Sequence, residues 1–78
     1  MKLKVNCYSG YKADERPLSF EMNEKKYEVI EILDQWYGKD QTYFRIRADD
    51  GNLYILRHEL EDDIWDLTFF KKGDRNEI

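Results

Sequence analysis

Residues 43–57 constrain this chain more than any other stretch. Two β-prone runs flank Asp49-Asp50-Gly51, a strong short-range signal for a β-hairpin. The hairpin makes an antiparallel sheet the organising element. Two registers are open to it. With Asp50-Gly51 at the centre of a type I′ turn, residue 46 faces 55 and Asp50 takes a positive φ, which is tolerated but disfavoured. With Asp49-Asp50 in a type I turn and Gly51 in a left-handed bulge, residue 46 faces 54 and 44 faces 56. Only glycine then enters the left-handed region, at no steric cost, so the bulged form is preferred. One residue of slip moves every side chain of the second strand to the other face. In the preferred register Phe44, Ile46, Ala48, Tyr54 and Leu56 share the core face. Arg45, Arg47 and Arg57 share the outer face with Tyr43, Leu53 and Ile55. Arg45 and Arg47 point outward in both registers; Arg57 changes sides.

The rest of the chain reads as further short strands. In residues 3–8, Leu3, Val5 and Cys7 alternate with charged and polar neighbours, the pattern of a half-buried strand. Residues 9–17 read as a loop. Pro17 biases Arg16 to extended geometry, so a strand with Leu18, Phe20 and Met22 inward can follow. Residues 23–25 read as a tight turn. Residues 26–37 are ambiguous. Val29, Ile32, Leu33 and Trp36 have helical spacing, with Asn23 as cap and Gly38 as stop. The same stretch is rich in β-branched and aromatic residues, and a strand there needs a β-bulge at Ile30. The strand is preferred because strands flank it on both sides. Residues 59–63 form an acidic connection. Residues 64–70 read as a last strand, with Trp65, Leu67 and Phe69 on one face and Ile64 and Phe70 on the other. The expected fold is a mainly β single domain over residues 1–70, a small antiparallel sheet or SH3-like partly open barrel of five or six strands. The alternative is α+β with a helix at about 25–37. Residues 71–78 are expected to form a frayed polar tail.

With 78 residues, one small core is available, and six Tyr, four Phe and two Trp must supply much of it. The net charge of −4 weighs against general duplex DNA binding, which needs phosphate neutralisation. A single cysteine excludes an intrachain disulfide, and no apolar run is long enough to span a bilayer. A cytoplasmic location is the expectation, with no membrane partner.

Catalytic constellations are sparse. Cys7 and His58 each occur once, and no motif supports a nucleophile–base pair. Cys7 reads as a small core thiol and His58 as the solvated or capped end of a strand. Metal ligation lacks donors: Asp49 and Asp50 are turn residues, and the acidic cluster at 59–63 reads as a solvated loop. No cofactor, metal or catalytic residue is expected. The sharper surface is the outer face, where Arg45, Arg47 and Arg57 lie near Tyr43 and Trp36. Aromatic and arginine side chains in this arrangement anchor protein interfaces or stack single-stranded bases. In the simpler alternative, they cover apolar surface and pair with carboxylates of neighbouring strands. Tyr8, Tyr11 and Arg16, in and around the connection after the first strand, form a second candidate rim; in the simpler alternative the two tyrosines pack across an open barrel end.

Tyr8-Ser9-Gly10-Tyr11, Glu15-Arg16-Pro17, Trp36-Tyr37 and Ala48-Asp49-Asp50-Gly51 with Tyr54, in this order and spacing, resemble a small family of uncharacterised bacterial cytosolic domains. The resemblance runs over most of residues 7–68. It implies a small cytosolic β domain and transfers no activity or catalytic residue. Some related domains accompany DNA-repair polymerase genes, which adds weight to a nucleic-acid-linked role. The expectation is a non-catalytic protein-binding module, with single-stranded nucleic acid as the alternative partner and an enzyme as the third class. Composition sets no oligomeric state.

Overall fold

The computed structural model describes residues 2–8 and 16–71. Over these residues the chain forms six strands and no helix: β1 (Lys2–Tyr8), β2 (Arg16–Met22), β3 (Lys25–Gly38), β4 (Gln41–Ala48), β5 (Leu53–Glu59) and β6 (Ile64–Lys71). Each pairs antiparallel with its sequence neighbour, and β6 returns to β1, closing a barrel in simple meander order. No helix among these residues is long and apolar enough to cross a membrane.

The β4–β5 hairpin takes the bulged register. Ile46 faces Tyr54 and Phe44 faces Leu56. The Gly51 N–H donates to the Ala48 carbonyl at 2.9 Å, the Ala48 N–H donates to the Asn52 carbonyl at 3.0 Å, and Gly51 has φ 85°. That is a type I turn closed by a left-handed glycine, the conformation that carries no penalty without a Cβ. The expected core face is buried in full: Phe44, Ile46, Ala48, Tyr54 and Leu56, joined by Phe20 and Trp65. Half-buried Leu3, Val5 and Cys7 of β1 pack against this cluster, so Cys7 sits as an apolar-facing thiol.

Residues 25–38 are one strand, so the helical alternative does not form. β3 pairs with β2 only over Lys25 to Glu28, then turns to pair with β4 from Val29 onward. Its ladder with β4 shifts at Ile30, where the bulge was expected, and again at Leu33. Each bulge adds one residue to a period of two. The residues set opposite Ala48, Ile46 and Phe44 are therefore Val29, Ile32 and Gln35, three apart. The apparent helical stripe of this segment is a twice-bulged strand.

Two other bulges correct the sequence reading. In β2 the ladder with β1 runs from Asn6↔Ser19 to Cys7↔Pro17, skipping Leu18. Pro17 is consequently buried, and Leu18, expected inside, is half exposed. In β6 the ladder runs from Leu56↔Leu67 to Ile55↔Phe69, skipping Thr68, whose Oγ1 donates to the Ile55 carbonyl at 3.2 Å. Phe69 thus lies on the outer face, opposite Ile55, and Phe70 on the Tyr54 side, its ring 5.1 Å from that of Tyr54, though both phenylalanines remain 49% exposed. The expected grouping of Phe69 with Trp65 and Leu67 is reversed by that one inserted residue.

Candidate binding cleft and outer face

The β2 and β3 strands part after Ser19↔Glu28. The physical causes sit side by side. Pro17 has no N–H to donate to a ladder. Leu18 is the bulged residue of the β1–β2 ladder, and Ile30 that of the β3–β4 ladder. A bulge disrupts local pairing and re-aims its side chain. The result is a cleft of about 460 Å³, with Pro17, Leu18, Val29, Ile30 and Ile32 along it and Arg16 and Glu31 as its charged members. Its volume falls in the range of about 300–1,000 Å³ typical of ligand pockets. Leu18 is 50% and Ile30 61% exposed, the aliphatic pair that the two bulges turn outward.

The outer face of β3 to β6 collects five of the expected site residues, and each one has a specific setting. Trp36 faces Tyr43 and stacks on it at 5.4 Å with an interplanar angle of 4°. The Tyr43 hydroxyl donates to Gln41 Oε1 at 2.8 Å. Arg57 lies opposite Tyr43 and donates to Asp66 of β6 at 2.7 Å. That bond holds the guanidinium further above its ordinary range, against the opposing effect of burial. Arg47 lies 3.9 Å from Glu31, and Arg45 sits exposed opposite Asp34. Arg57 is thus on the outer face with Arg45 and Arg47, as the bulged register requires. Three carboxylates, Glu31, Asp34 and Asp66, accompany the three arginines. Arg16 belongs instead to the β2–β3 cleft, and Tyr11 lies outside the described residues.

The structure also relocates His58. It is buried, with its ring stacked on Trp65 at 4.2 Å and its Nε2 2.7 Å from Asp63 Oδ1. Of the two expectations for this strand end, solvated or capped, the solvated one fails: the ring faces inward, opposite Thr42 and Trp65 in the ladders, with Asp63 at its Nε2. Asp63 and Trp65, with Cys7, Leu3 and Val5, line a second opening of about 440 Å³, where β1 leaves β6 after only two paired positions. Among the described residues, no group of three or more His, Cys, Asp or Glu is arranged to hold a metal ion.

The sequence reading missed the cleft, though two of its signals were present: Pro17 at a strand start and the adjacent β-branched pair Val29-Ile30. The fold is a closed six-stranded antiparallel barrel with a surface cleft where β2 and β3 part. Comparison with protein-family models, curated proteins and solved structures finds no match to the chain.

Proposed function

We propose that this protein is a small non-catalytic binding module of the bacterial cytosol whose cleft between β2 and β3 docks a partner protein. The observation that carries this reading is the outward turn of Leu18 and Ile30 on the two lips of an apolar cleft. Two large aliphatic side chains, 50% and 61% exposed and set together beside a concavity, form the kind of local apolar patch that marks an interaction site. The outer face gives less support for single-stranded nucleic acid. Arg57 is engaged by Asp66, Arg47 is near Glu31, and Trp36 has Tyr43 on one ring face.

Affinity capture with three baits tests the reading: the wild type, Ile30→Asp, and Arg45→Glu combined with Arg47→Glu. A protein held by the wild type, lost with Ile30→Asp and kept by the arginine variant supports it once direct binding of the identified protein repeats the pattern. Loss with the arginine variant alone overturns it. In that case, salt-sensitive retention of a single-stranded oligonucleotide decides for the nucleic-acid reading.

A further inference from the structure

We infer that the occupant of the β2–β3 cleft is an extended, uncharged apolar segment of a partner protein, added as a strand along the open lips of β2 and β3. This inference rests on the reading of the cleft as the docking element and specifies what the partner must present.

The backbone makes the first argument. Continuing the β2–β3 register beyond Ser19↔Glu28 would set Leu18 against Val29, Pro17 against Ile30 and Arg16 against Glu31. None of these pairs forms among the described residues. Over this stretch β2 and β3 each present a backbone edge to the cleft that has no cross-strand pair among the described residues. A second polypeptide backbone in extended form supplies the matching alternation of donors and acceptors, as in strand addition to an open sheet edge. A planar base or a helix presents no such row.

Charge makes the second argument. Arg16 and Glu31 bring one positive and one negative charge to the cleft, and its other lining residues are uncharged. A strongly basic segment would be repelled by Arg16 and attracted by Glu31, and a strongly acidic one the reverse, so net charge of either sign gains nothing in the cleft. What the lining does reward is apolar surface, and an uncharged segment covers Leu18 and Ile30 with its own apolar side chains without desolvating a charge. Because a strand directs alternate residues to opposite faces, the apolar positions should recur every second residue.

Selection from a displayed random-peptide library on the wild type, with counter-selection on Ile30→Asp, tests the inference. Leu18→Asp serves as a second counter-selection bait, and far-ultraviolet circular dichroism verifies that each variant is folded. Enriched peptides should alternate apolar and uncharged polar residues. A synthetic representative should shift the amide resonances of Leu18, Ile30 and Glu31, and its affinity should not fall between low and high salt. N-methylation of its edge-facing amides should weaken binding about tenfold, as expected for loss of one or two hydrogen bonds. Enrichment of helical, proline-rich or highly charged peptides, equal binding of the N-methylated form, or no enrichment over the variants overturns the inference. If a native partner still depends on Ile30 in that event, the module reading survives and only the strand-addition mode falls.

Discussion

The β4–β5 and β2–β3 pairs are both antiparallel hairpins, yet they have opposite fates. The first carries its ladder from Gln41↔Glu59 to Arg47↔Leu53 without interruption, and the second stops after four paired positions. The strands of both pairs carry bulges, those of β2 and β3 in their ladders with β1 and β4; their placement makes the difference. The glycine bulge of β4–β5 sits beside the turn, where it twists the ribbon and leaves the ladder whole. The bulges at Leu18 and Ile30 sit inside strands whose other edges are already paired, and Pro17 removes a donor at the same level. The same local device closes a core in one place and opens a cleft in the other.

The largest expected effect breaks this comparison at its centre. Phe44 is buried beneath the β4–β5 hairpin, 5.7 Å from the Trp65 ring. Phe44→Ala should cost about 3–5 kcal/mol. A domain of this size has a total stability on the order of 5 kcal/mol, so the variant should be largely unfolded in water. Ile30→Ala should change stability by less than about 0.5 kcal/mol, because an exposed side chain has little packing to lose. Urea unfolding of both variants checks the pair. A large loss at Ile30 would mean that the cleft is part of the core, and the division into closed and open halves would fail.

How far the sequence revealed this division depends on what sets each feature. The β4–β5 core face was legible because alternation and turn chemistry are local and agree with each other. The Ile30 bulge was legible because two adjacent aliphatic residues break a period of two. The bulges at Leu18, Leu33 and Thr68 were not, since a bulge is defined by the partner's register and not by its own strand. Their cumulative effect on β3 imitated a helical period, and on β6 it exchanged the faces of Phe69 and Phe70. Arg45 and Arg47 could be placed outward from sequence because both registers agree. The cleft was not found, although Pro17 and the Val29-Ile30 pair were visible, because it forms only where bulges on two different strands fall beside each other. The burial of His58 was not legible for a related reason: it depends on Trp65, paired with it from β6.

A smaller effect sharpens the account of the closed half. The Tyr54 hydroxyl donates to Asp50 Oδ2 at 2.6 Å, tying the second strand to its own turn. Burial acts to raise the Asp50 carboxyl, but hydrogen bonds from Tyr54 and Asn52 outweigh it and hold the group below its ordinary value of 3.8. Burial, and then the bond to Asp50, push the Tyr54 hydroxyl above its ordinary value of 10.0. The signs differ. Stability from Asp50 is present above pH 3.8 and is lost as pH falls through the lowered folded value. Stability from Tyr54 is present below pH 10.0 and is lost as pH rises towards the raised folded value. Tyr54→Phe should lower stability by about 1 kcal/mol at neutral pH. It should also shrink the acid limb and remove this residue's share of the alkaline limb in thermal unfolding followed against pH. Unchanged limbs would show that the turn is held by its backbone bonds alone.

The smallest effect concerns the open half and goes in the other direction. The turn between β2 and β3 places Asn23 at φ 55° and Glu24 at φ 64°. A two-residue hairpin turn with both central residues in this region favours Asn-Gly, because a side chain other than Asn or Asp is strained there. Glu24→Gly relieves the strain at the turn but adds freedom to the unfolded chain. The net gain should be about 0.5–1 kcal/mol, read from the urea midpoint at unchanged slope. The tighter turn strengthens the paired end of β2–β3 without acting on its lips, where a missing donor and two bulges prevent pairing. Hydrogen exchange should therefore slow for the paired amides near Met22 and Lys25 and stay as it was at Leu18 and Ile30, beyond any change in global stability. If exchange at Leu18 and Ile30 slowed to the same extent, the cleft would be the consequence of a weak turn. The parting of the strands would then belong to Glu24, and not to Pro17, Leu18 and Ile30.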